Sequence, residues 1–272
     1  MVDKNPFNIN FGTEPLSIIS RQEEIDQIVN DFTIDKSTST YVITGARGSG
    51  KTVLLGQAID IFKSFKDWIV VSIIPEFDML SQLAAKLYDE GHLKRLFLNT
   101  EFSFGYKALG INIQASNPVS DVSTFLSQEF SYLRSKGKKV LITFDEIVSN
   151  QYAKIFFHEF QLLLLEKYDV CLLMTGLYNN ISQLQNNKSL TFLYRAPKIY
   201  LNSLNNMAII NSYKKTFEVS DSEGIELAKL TRGYAYGYQL LGDILFKDKK
   251  SHLDDDVLDK FDECLSERAY SI

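Results

Sequence analysis

The sequence lacks the features that mark a membrane, secreted or repetitive protein. No run of residues approaches the roughly 18 consecutive apolar residues that a membrane helix needs, and Met1 to Pro6 has no apolar signal-peptide core. The chain also contains no internal repeat and no low-complexity tract. We therefore expect a cytoplasmic protein with no membrane partner.

The sequence has no excess of positive charge, and it has few cysteines. The formal net charge is −5 and the sequence pI is about 5.4, which argues against a broad cationic face for nonspecific nucleic-acid binding but leaves room for a local basic groove. The two cysteines, Cys171 and Cys264, are far apart, and Cys171 lies in an apolar run typical of a buried strand. We expect neither a disulfide nor a metal site from them.

The chain does contain a long alternation of strands and helices. Its 272 residues, 45% of them hydrophobic, suffice for a large α/β domain and a smaller helical one. Apolar runs predict strands at 41–44, 68–74, 140–144, 170–175 and 199–201, and helical spacing predicts helices at 21–32, 53–65, 79–88, 122–133 and 152–168. Residues 102–113 alternate enough to suggest a hairpin, which we interpret as an insertion near 100–115.

From residue 203 onward the spacing is helical throughout. It predicts four short helices at 206–217, 222–231, 236–246 and 255–267. The predicted fold is therefore α/β. A parallel-sheet core with helices on both faces spans residues 1–202, and a small all-helical lid spans residues 203–272.

The loop after the first predicted strand has the sequence of a phosphate-binding loop. The eight residues that match G-x-x-x-x-G-K-[ST] are Gly45, Ala46, Arg47, Gly48, Ser49, Gly50, Lys51 and Thr52. Glycines let the backbone wrap closely enough to direct its N–H groups at phosphate oxygens, and the following helix adds its positive N-terminal end. Lys51 is expected to reach the β- and γ-phosphates, and the Thr52 hydroxyl to bind Mg²⁺. The alternative, a glycine-rich turn that binds nothing, has no need for Lys-Thr at its end.

An acidic pair, Asp145-Glu146, ends the apolar run 140–144. We expect this strand to lie beside the phosphate-loop strand, where Asp145 would orient a water bound to Mg²⁺. Glu146 would act as the general base toward the attacking water. In most proteins an acidic pair at a strand end is simply a solvated turn, which is the alternative here. A glutamate after the metal aspartate favours water as the acceptor, so hydrolysis of ATP is predicted over phosphoryl transfer to another substrate.

Several further segments carry a family resemblance. The lead-in contains Pro6-Phe7, Phe11-Gly12, Pro15 and the run Ile18-Ile19-Ser20-Arg21-Gln22-Glu23, and the run 172–176 reads Leu-Leu-Met-Thr-Gly. With the phosphate loop and the acidic pair, they resemble AAA+ ATPases, most closely the bacterial and archaeal branch related to the origin-recognition initiator type. The signal-transducing STAND ATPases are a neighbouring possibility. The resemblance implies that Ile18, Ile19 and Arg21 contribute to the nucleotide site on its adenine side.

The same resemblance assigns two further roles. Thr175 stands at the sensor-1 position, which in the family contacts the γ-phosphate or the attacking water. Arg195, in Leu193-Tyr194-Arg195-Ala196-Pro197, resembles the arginine finger that acts on the nucleotide of an adjacent subunit. A strand-ending threonine is otherwise usually structural, and an isolated arginine is usually a surface ion-pair partner.

The segment 231–242 resembles the family's helical lid but departs from it in two ways. Ala235 stands where relatives often have proline, and no arginine occupies the sensor-2 place within the lid helix, although Arg232 precedes it. We interpret the aromatic stripe Tyr234, Tyr236 and Tyr238 as packing rather than as a base-stacking platform. Relatives commonly continue into a winged-helix DNA-binding domain, whereas this sequence ends at Ile272.

Three hypotheses of function follow. The first is an ATP- and Mg²⁺-dependent ATPase that serves as a molecular switch or motor, acting as a homo-oligomer on a protein or DNA partner. The second is a nucleotide-gated binding module that holds ATP or ADP with little hydrolysis. An initiator or loader on nucleic acid is a third reading, which rests on family analogy alone.

Overall fold

The computed structural model describes residues 4–10, 15–89, 122–187 and 190–269. The hairpin predicted at 102–113 lies outside these residues. The strands are β1 (Thr40–Thr44), β2 (Trp68–Ile73), β3 (Lys139–Phe144), β4 (Val170–Gly176) and β5 (Lys198–Tyr200). The helices are α1 (Gln22–Thr33), α2 (Lys51–Ser64), α3 (Met79–Asp89), α4 (Val122–Ser135), α5 (Gln151–Leu165), α6 (Tyr178–Gln185), α7 (Thr191–Arg195), α8 (Asn206–Phe217), α9 (Asp221–Thr231), α10 (Ala235–Asp248) and α11 (Asp255–Ala269).

The five strands form one sheet in the order β2-β3-β4-β1-β5, and every pairing is parallel. This arrangement confirms the predicted α/β class and parallel sheet. One detail of the prediction is wrong: β3, which precedes the acidic pair, does not lie beside β1, because β4 lies between them. Apolar strands that are buried on both faces fit any neighbour equally well, so their sequences do not fix the strand order.

Helices cover both faces of the sheet. On one face, α3, α4 and α5 pack against alternate strand residues such as Val71, Ile142 and Leu172. On the other face, Phe32 of α1 meets the ring of Tyr41, and Phe62 of α2 meets Trp68. Burial on both sides explains why these strands are nearly continuous apolar runs.

The chain divides into two compact units, which we call the sheet unit and the helical unit. The sheet unit comprises Glu23–Thr44 and Leu54–Tyr200. The helical unit comprises Met1–Gln22, Gly45–Val53 and Leu201–Ile272, so it includes the predicted phosphate loop. The domain boundary predicted between residues 202 and 203 stays a prediction.

The core of the helical unit is built around Phe7 of the lead-in. The Phe7 ring contacts the rings of Tyr213, Phe217 and Tyr238 at centroid distances of 5.5–5.8 Å. It also lies so close to Gly242 of α10 that any side chain there would overlap it. The lead-in is therefore an integral part of the helical unit.

Two short helices were not predicted from the sequence. Helix α6 buries only Ile181 and Leu184, and the five-residue α7 buries only Leu193, so neither shows a recognisable periodic face. Helix α5 ends three residues earlier than predicted, because Lys167 adopts a left-handed backbone conformation with φ of 60°.

None of the helices that the structure describes is long and apolar enough to cross a membrane. The thiols of Cys171 and Cys264 are free. Burial raises the pKa of the Cys171 thiol to about 12, so this group stays protonated and unreactive at neutral pH.

Candidate functional site

The phosphate-loop sequence forms a glycine turn between β1 and α2. Gly45 directly follows β1, and α2 begins at Lys51. Gly48 and Gly50 have φ values of 67° and 94°, which side-chain-bearing residues rarely adopt. The motif therefore has the strand–turn–helix context that phosphate binding requires.

Lys51 folds back onto its own loop. It is 5% exposed, and its Nζ donates hydrogen bonds to the carbonyl oxygens of Ala46 (2.7 Å) and Gly45 (3.1 Å). Thr52, the next residue, is exposed. The ammonium group is thus held inside the loop.

The backbone of the loop also approaches its neighbours closely at Gly45. A Cβ atom on Gly45 would lie 2.8 Å from Ser49 Oγ and 3.1 Å from the carbonyl oxygen of Leu201, so only glycine fits. The Ser49 hydroxyl is buried and finds no hydrogen-bond partner among the described residues. An unpartnered buried hydroxyl beside a lysine fits a nucleotide phosphate, which accepts hydrogen bonds.

Two tyrosines of the helical unit contact this loop. Tyr234, the N-cap of α10, donates its hydroxyl to the carbonyl oxygen of Arg47 (3.0 Å), and the Tyr236 N–H donates to the carbonyl oxygen of Gly48 (3.0 Å). We predicted packing for these residues, and Tyr238 does pack in the core. The contacts of Tyr234 and Tyr236 with the loop were missed, and nothing in the sequence signals them.

In the sheet unit, Thr175 bridges the acidic pair. Its Oγ1 donates to Asp145 Oδ1 (2.5 Å) and accepts from the Glu146 N–H (2.9 Å), while its carbonyl oxygen accepts from the Ile147 N–H (2.8 Å). Thr175 is fully buried, Asp145 is half-buried and Glu146 is exposed. The structure therefore brings together three of the predicted site residues, and it does so because β4 is the neighbour of β3.

Glu146 has a strained backbone. Its φ is 53°, in the left-handed region that glycine and asparagine favour. The Thr175 hydrogen bond to its N–H holds this conformation and leaves the carboxylate facing solvent. Strained residues of this kind concentrate at functional sites.

Arg195 is the last residue of α7 and is exposed. In the described part of the chain its guanidinium has no carboxylate within ion-pair distance. The ordinary alternative for a surface arginine is thus not seen there.

The adenine-side residues lie in the helical unit. Ile19 is buried in the core with Phe7, whereas Ile18 is half-buried. Arg21 donates to the carbonyl oxygen of Asn202 (2.7 Å). These contacts fix the lead-in, and a nucleotide role for the three residues stays a prediction.

A family model and several solved structures resemble this chain. Residues 19–103 match the family described as mitochondrial ribosomal death-associated protein 3, a P-loop ATPase family; the match covers less than half of the chain. The comparison with curated proteins found no match.

Solved structures of archaeal ORC and Cdc6 proteins share the fold. The ORC2 protein of Aeropyrum pernix, in ADPNP–ADP complexes, is 11% identical, with a TM-score of 0.61 over 94% of this chain and 71% of that one. Cdc6p of Pyrobaculum aerophilum is 15% identical, with a TM-score of 0.60 over 94% of this chain and 69% of that one. The A. pernix ORC1 protein in complex with DNA is 11% identical, with a TM-score of 0.56 over 94% and 68%. The chain therefore shares the fold of these ORC and Cdc6 proteins, in agreement with the fold that its sequence predicts.

Proposed function

We propose that this protein binds ATP with Mg²⁺ and hydrolyses it, and that it serves as a molecular switch or motor. The observation that carries the proposal is the Gly45–Thr52 loop, with its two left-handed glycines and its buried, inward-held Lys51. A loop that served only as a turn would have no reason to bury a lysine ammonium group against its own carbonyls. The AAA+ fold supports the same function.

Within the helical unit, the loop would bind the triphosphate. Phosphate oxygens would replace the carbonyls of Gly45 and Ala46 as acceptors for Lys51, and the backbone N–H groups would add further donors. The exposed Thr52 hydroxyl is the proposed Mg²⁺ ligand in this unit. Ile18, Ile19 and Arg21 are proposed for the adenine side.

Within the sheet unit, Asp145 is proposed to hold a water bound to Mg²⁺, and Glu146 to act as the general base. Mg²⁺ would supply charge neutralisation for the phosphates. Because the Thr175 hydroxyl donates its single proton to Asp145, we propose that Thr175 orients the acidic pair. The exposed Glu146 carboxylate remains able to accept a proton from water.

Arg195 is proposed to act on the nucleotide of an adjacent copy of this chain. Its exposure, and the lack of a carboxylate within ion-pair distance among the described residues, support that role. Activity would then require assembly into a homo-oligomer. The partner on which the assembly acts is proposed to be a protein or DNA, and we propose the cytoplasm as its location.

The test is steady-state ATP hydrolysis measured across a range of protein concentrations, with and without DNA. Wild type is compared with Glu146→Gln and Arg195→Ala. The matched controls are Glu166→Gln and Lys154→Ala, which change exposed residues on or next to α5. We expect turnover per subunit to rise with concentration, to be lost in both test variants and to persist in the controls.

A nucleotide-gated binding module with little hydrolysis is the second candidate. It is favoured by the first turn of α10, where Tyr234 and Tyr236, rather than an arginine, contact the phosphate loop. If wild type binds ATP but turns it over no faster than Glu146→Gln at any concentration, this second function replaces the first.

A further inference from the structure

Helix α10 begins directly on the phosphate loop. Its N-cap, Tyr234, and its second residue, Tyr236, bind two consecutive carbonyl groups of the loop, those of Arg47 and Gly48. The two tyrosine rings also contact each other edge to face at 6.0 Å. We call this pair the tyrosine clamp.

The clamp fixes the direction of two loop peptides. In a trans peptide the C=O and N–H groups point to opposite sides. Because the carbonyls of Arg47 and Gly48 point toward the clamp, the N–H groups of Gly48 and Ser49 point away from it, into the loop. The Ser49 N–H makes a long bond, 3.3 Å, to the carbonyl of Ala46, which also accepts from Lys51. Donors held in this way suit a phosphate oxygen, which is a stronger acceptor than a carbonyl.

Packing at Gly48 reinforces the arrangement. A Cβ atom there would overlap the Tyr234 hydroxyl oxygen and would lie 2.9 Å from Tyr236 Cβ. Gly48 must therefore be glycine both for its φ of 67° and for the approach of the clamp. The fit between loop and clamp is thus specific.

Helix α10 is also bound to the lead-in. Asn5 donates to the buried Asp243 (2.8 Å), and the side chain of Gln239 accepts from the Asn8 N–H (3.0 Å) and donates to the Ser17 carbonyl (2.7 Å). The lead-in and the phosphate loop, which are distant in sequence, are therefore connected through one helix of the helical unit.

We propose that Tyr234 and Tyr236 are positioning residues that hold the phosphate loop in its phosphate-binding form, so that the placement of α10 regulates nucleotide affinity. This inference rests on the proposed ATP-binding function. The clamp couples the lid helix to the nucleotide from outside the loop, without a charged side chain.

The test is the affinity of wild type and Tyr234→Phe for ATP and ADP, measured by titration calorimetry, together with the unfolding temperature of the nucleotide-free proteins. Tyr234→Phe keeps the ring and removes only the hydroxyl. Losing this exposed hydrogen bond corresponds to about a 3- to 10-fold loss of affinity for both nucleotides. The matched control is Tyr178→Phe, which removes the hydroxyl of an exposed tyrosine in the sheet unit.

A second pair of variants isolates the backbone contact. Tyr236→Ala keeps the N–H that binds Gly48, whereas Tyr236→Pro removes it in the first helical turn, where proline is tolerated. We expect Tyr236→Pro to bind ATP about 3- to 10-fold more weakly than Tyr236→Ala.

The outcomes separate the two proposals. If wild type binds neither nucleotide, the proposed function fails. If wild type binds and Tyr234→Phe binds as tightly as Tyr178→Phe, the clamp proposal is overturned while ATP binding stands. A loss of affinity in a Tyr234→Phe protein that is already partly unfolded without nucleotide at the temperature of the titration would also overturn it, because the residue would then act only on global folding.

Discussion

The hydrogen bonds of Thr175 to the acidic pair lead to a quantitative prediction. Thr175→Val preserves the shape of the side chain and removes the hydroxyl that binds Asp145 and the Glu146 N–H. A hydrogen bond to a charged group contributes about 1.5–3 kcal/mol, and because Asp145 is half-buried we expect the lower part of that range, about 1.5–2 kcal/mol. Urea unfolding should show this loss of stability.

The rate of ATP hydrolysis by Thr175→Val should fall by more than its loss of folding stability alone would explain. Asp145 and Glu146 would lose the group that fixes their relative placement, and each 1.4 kcal/mol of lost transition-state stabilisation reduces the rate tenfold. We expect kcat to fall at least about tenfold in Thr175→Val with a smaller change in KM, since the substitution leaves Lys51 and the rest of the phosphate loop unchanged. Thr175→Ser, which restores the hydroxyl, should recover most of the activity.

The matched control is Thr143→Val. Thr143 is a buried threonine of β3 whose hydroxyl donates to Ser72 Oγ (2.9 Å), a neutral partner outside the acidic pair. The Thr143→Val variant should lose about 1 kcal/mol of folding stability and hydrolyse ATP at the wild-type rate. Equal rates of ATP hydrolysis in Thr175→Val and Thr143→Val would refute the proposed role of Thr175.

Three further predictions concern other parts of the sheet unit. Burial raises the pKa of the Glu129 carboxyl group from 4.5 to about 8. The folded protein therefore binds this proton more tightly than the unfolded chain does, and its free energy of unfolding falls as the pH rises from 4.5 to 8. In urea unfolding, the stability advantage of Glu129→Gln over wild type should grow by about 2–3 kcal/mol between pH 5.5 and 7.5, and a pH-independent difference would contradict this. Glu146→Gly should raise the free energy of unfolding by roughly 0.5–1 kcal/mol, because glycine adopts the left-handed φ of this position without strain. The same variant should lose ATP turnover. An unchanged or lower stability would argue against backbone strain at Glu146. Asn150→Ala should lower the free energy of unfolding in urea by about 1–2 kcal/mol, because the Asn150 side chain accepts from the Ala153 N–H at the start of α5 and donates to the Pro75 carbonyl. Asn150→Asp, which keeps the helix cap, should lose less stability. Equal losses in the two variants would argue against capping.

Much of the fold could be predicted because periodicity and local chemistry determine it. The turn between β1 and α2 follows from glycines that permit positive φ, and α8 to α11 follow from helical spacing within 206–267. Helices α6 and α7 could not be predicted, because they bury two residues and one residue respectively.

What could not be predicted depends on contacts between distant residues. The position of β4 between β3 and β1 places Thr175 against Asp145, but nothing in these apolar strands specifies their neighbours. The Tyr234 hydroxyl binds the carbonyl of Arg47, a residue 187 positions away. Every residue has a backbone carbonyl group, so the sequence does not show which one a side chain binds. A tyrosine that donates to a carbonyl therefore cannot be distinguished by sequence from a tyrosine that packs in the core.

The most direct test of the account is the affinity of the nucleotide-free protein for ATP with Mg²⁺, measured by titration calorimetry for wild type, Lys51→Ala and the control Lys63→Ala. Both lysines belong to α2, but Lys51 lies buried in the phosphate loop and Lys63 is exposed in the last turn. Saturable binding of one ATP per chain in wild type and Lys63→Ala, weakened at least about tenfold in Lys51→Ala, is the result that we predict. Equal affinity in all three proteins, or no binding by wild type, would contradict the claim that residues 45–52 bind nucleotide.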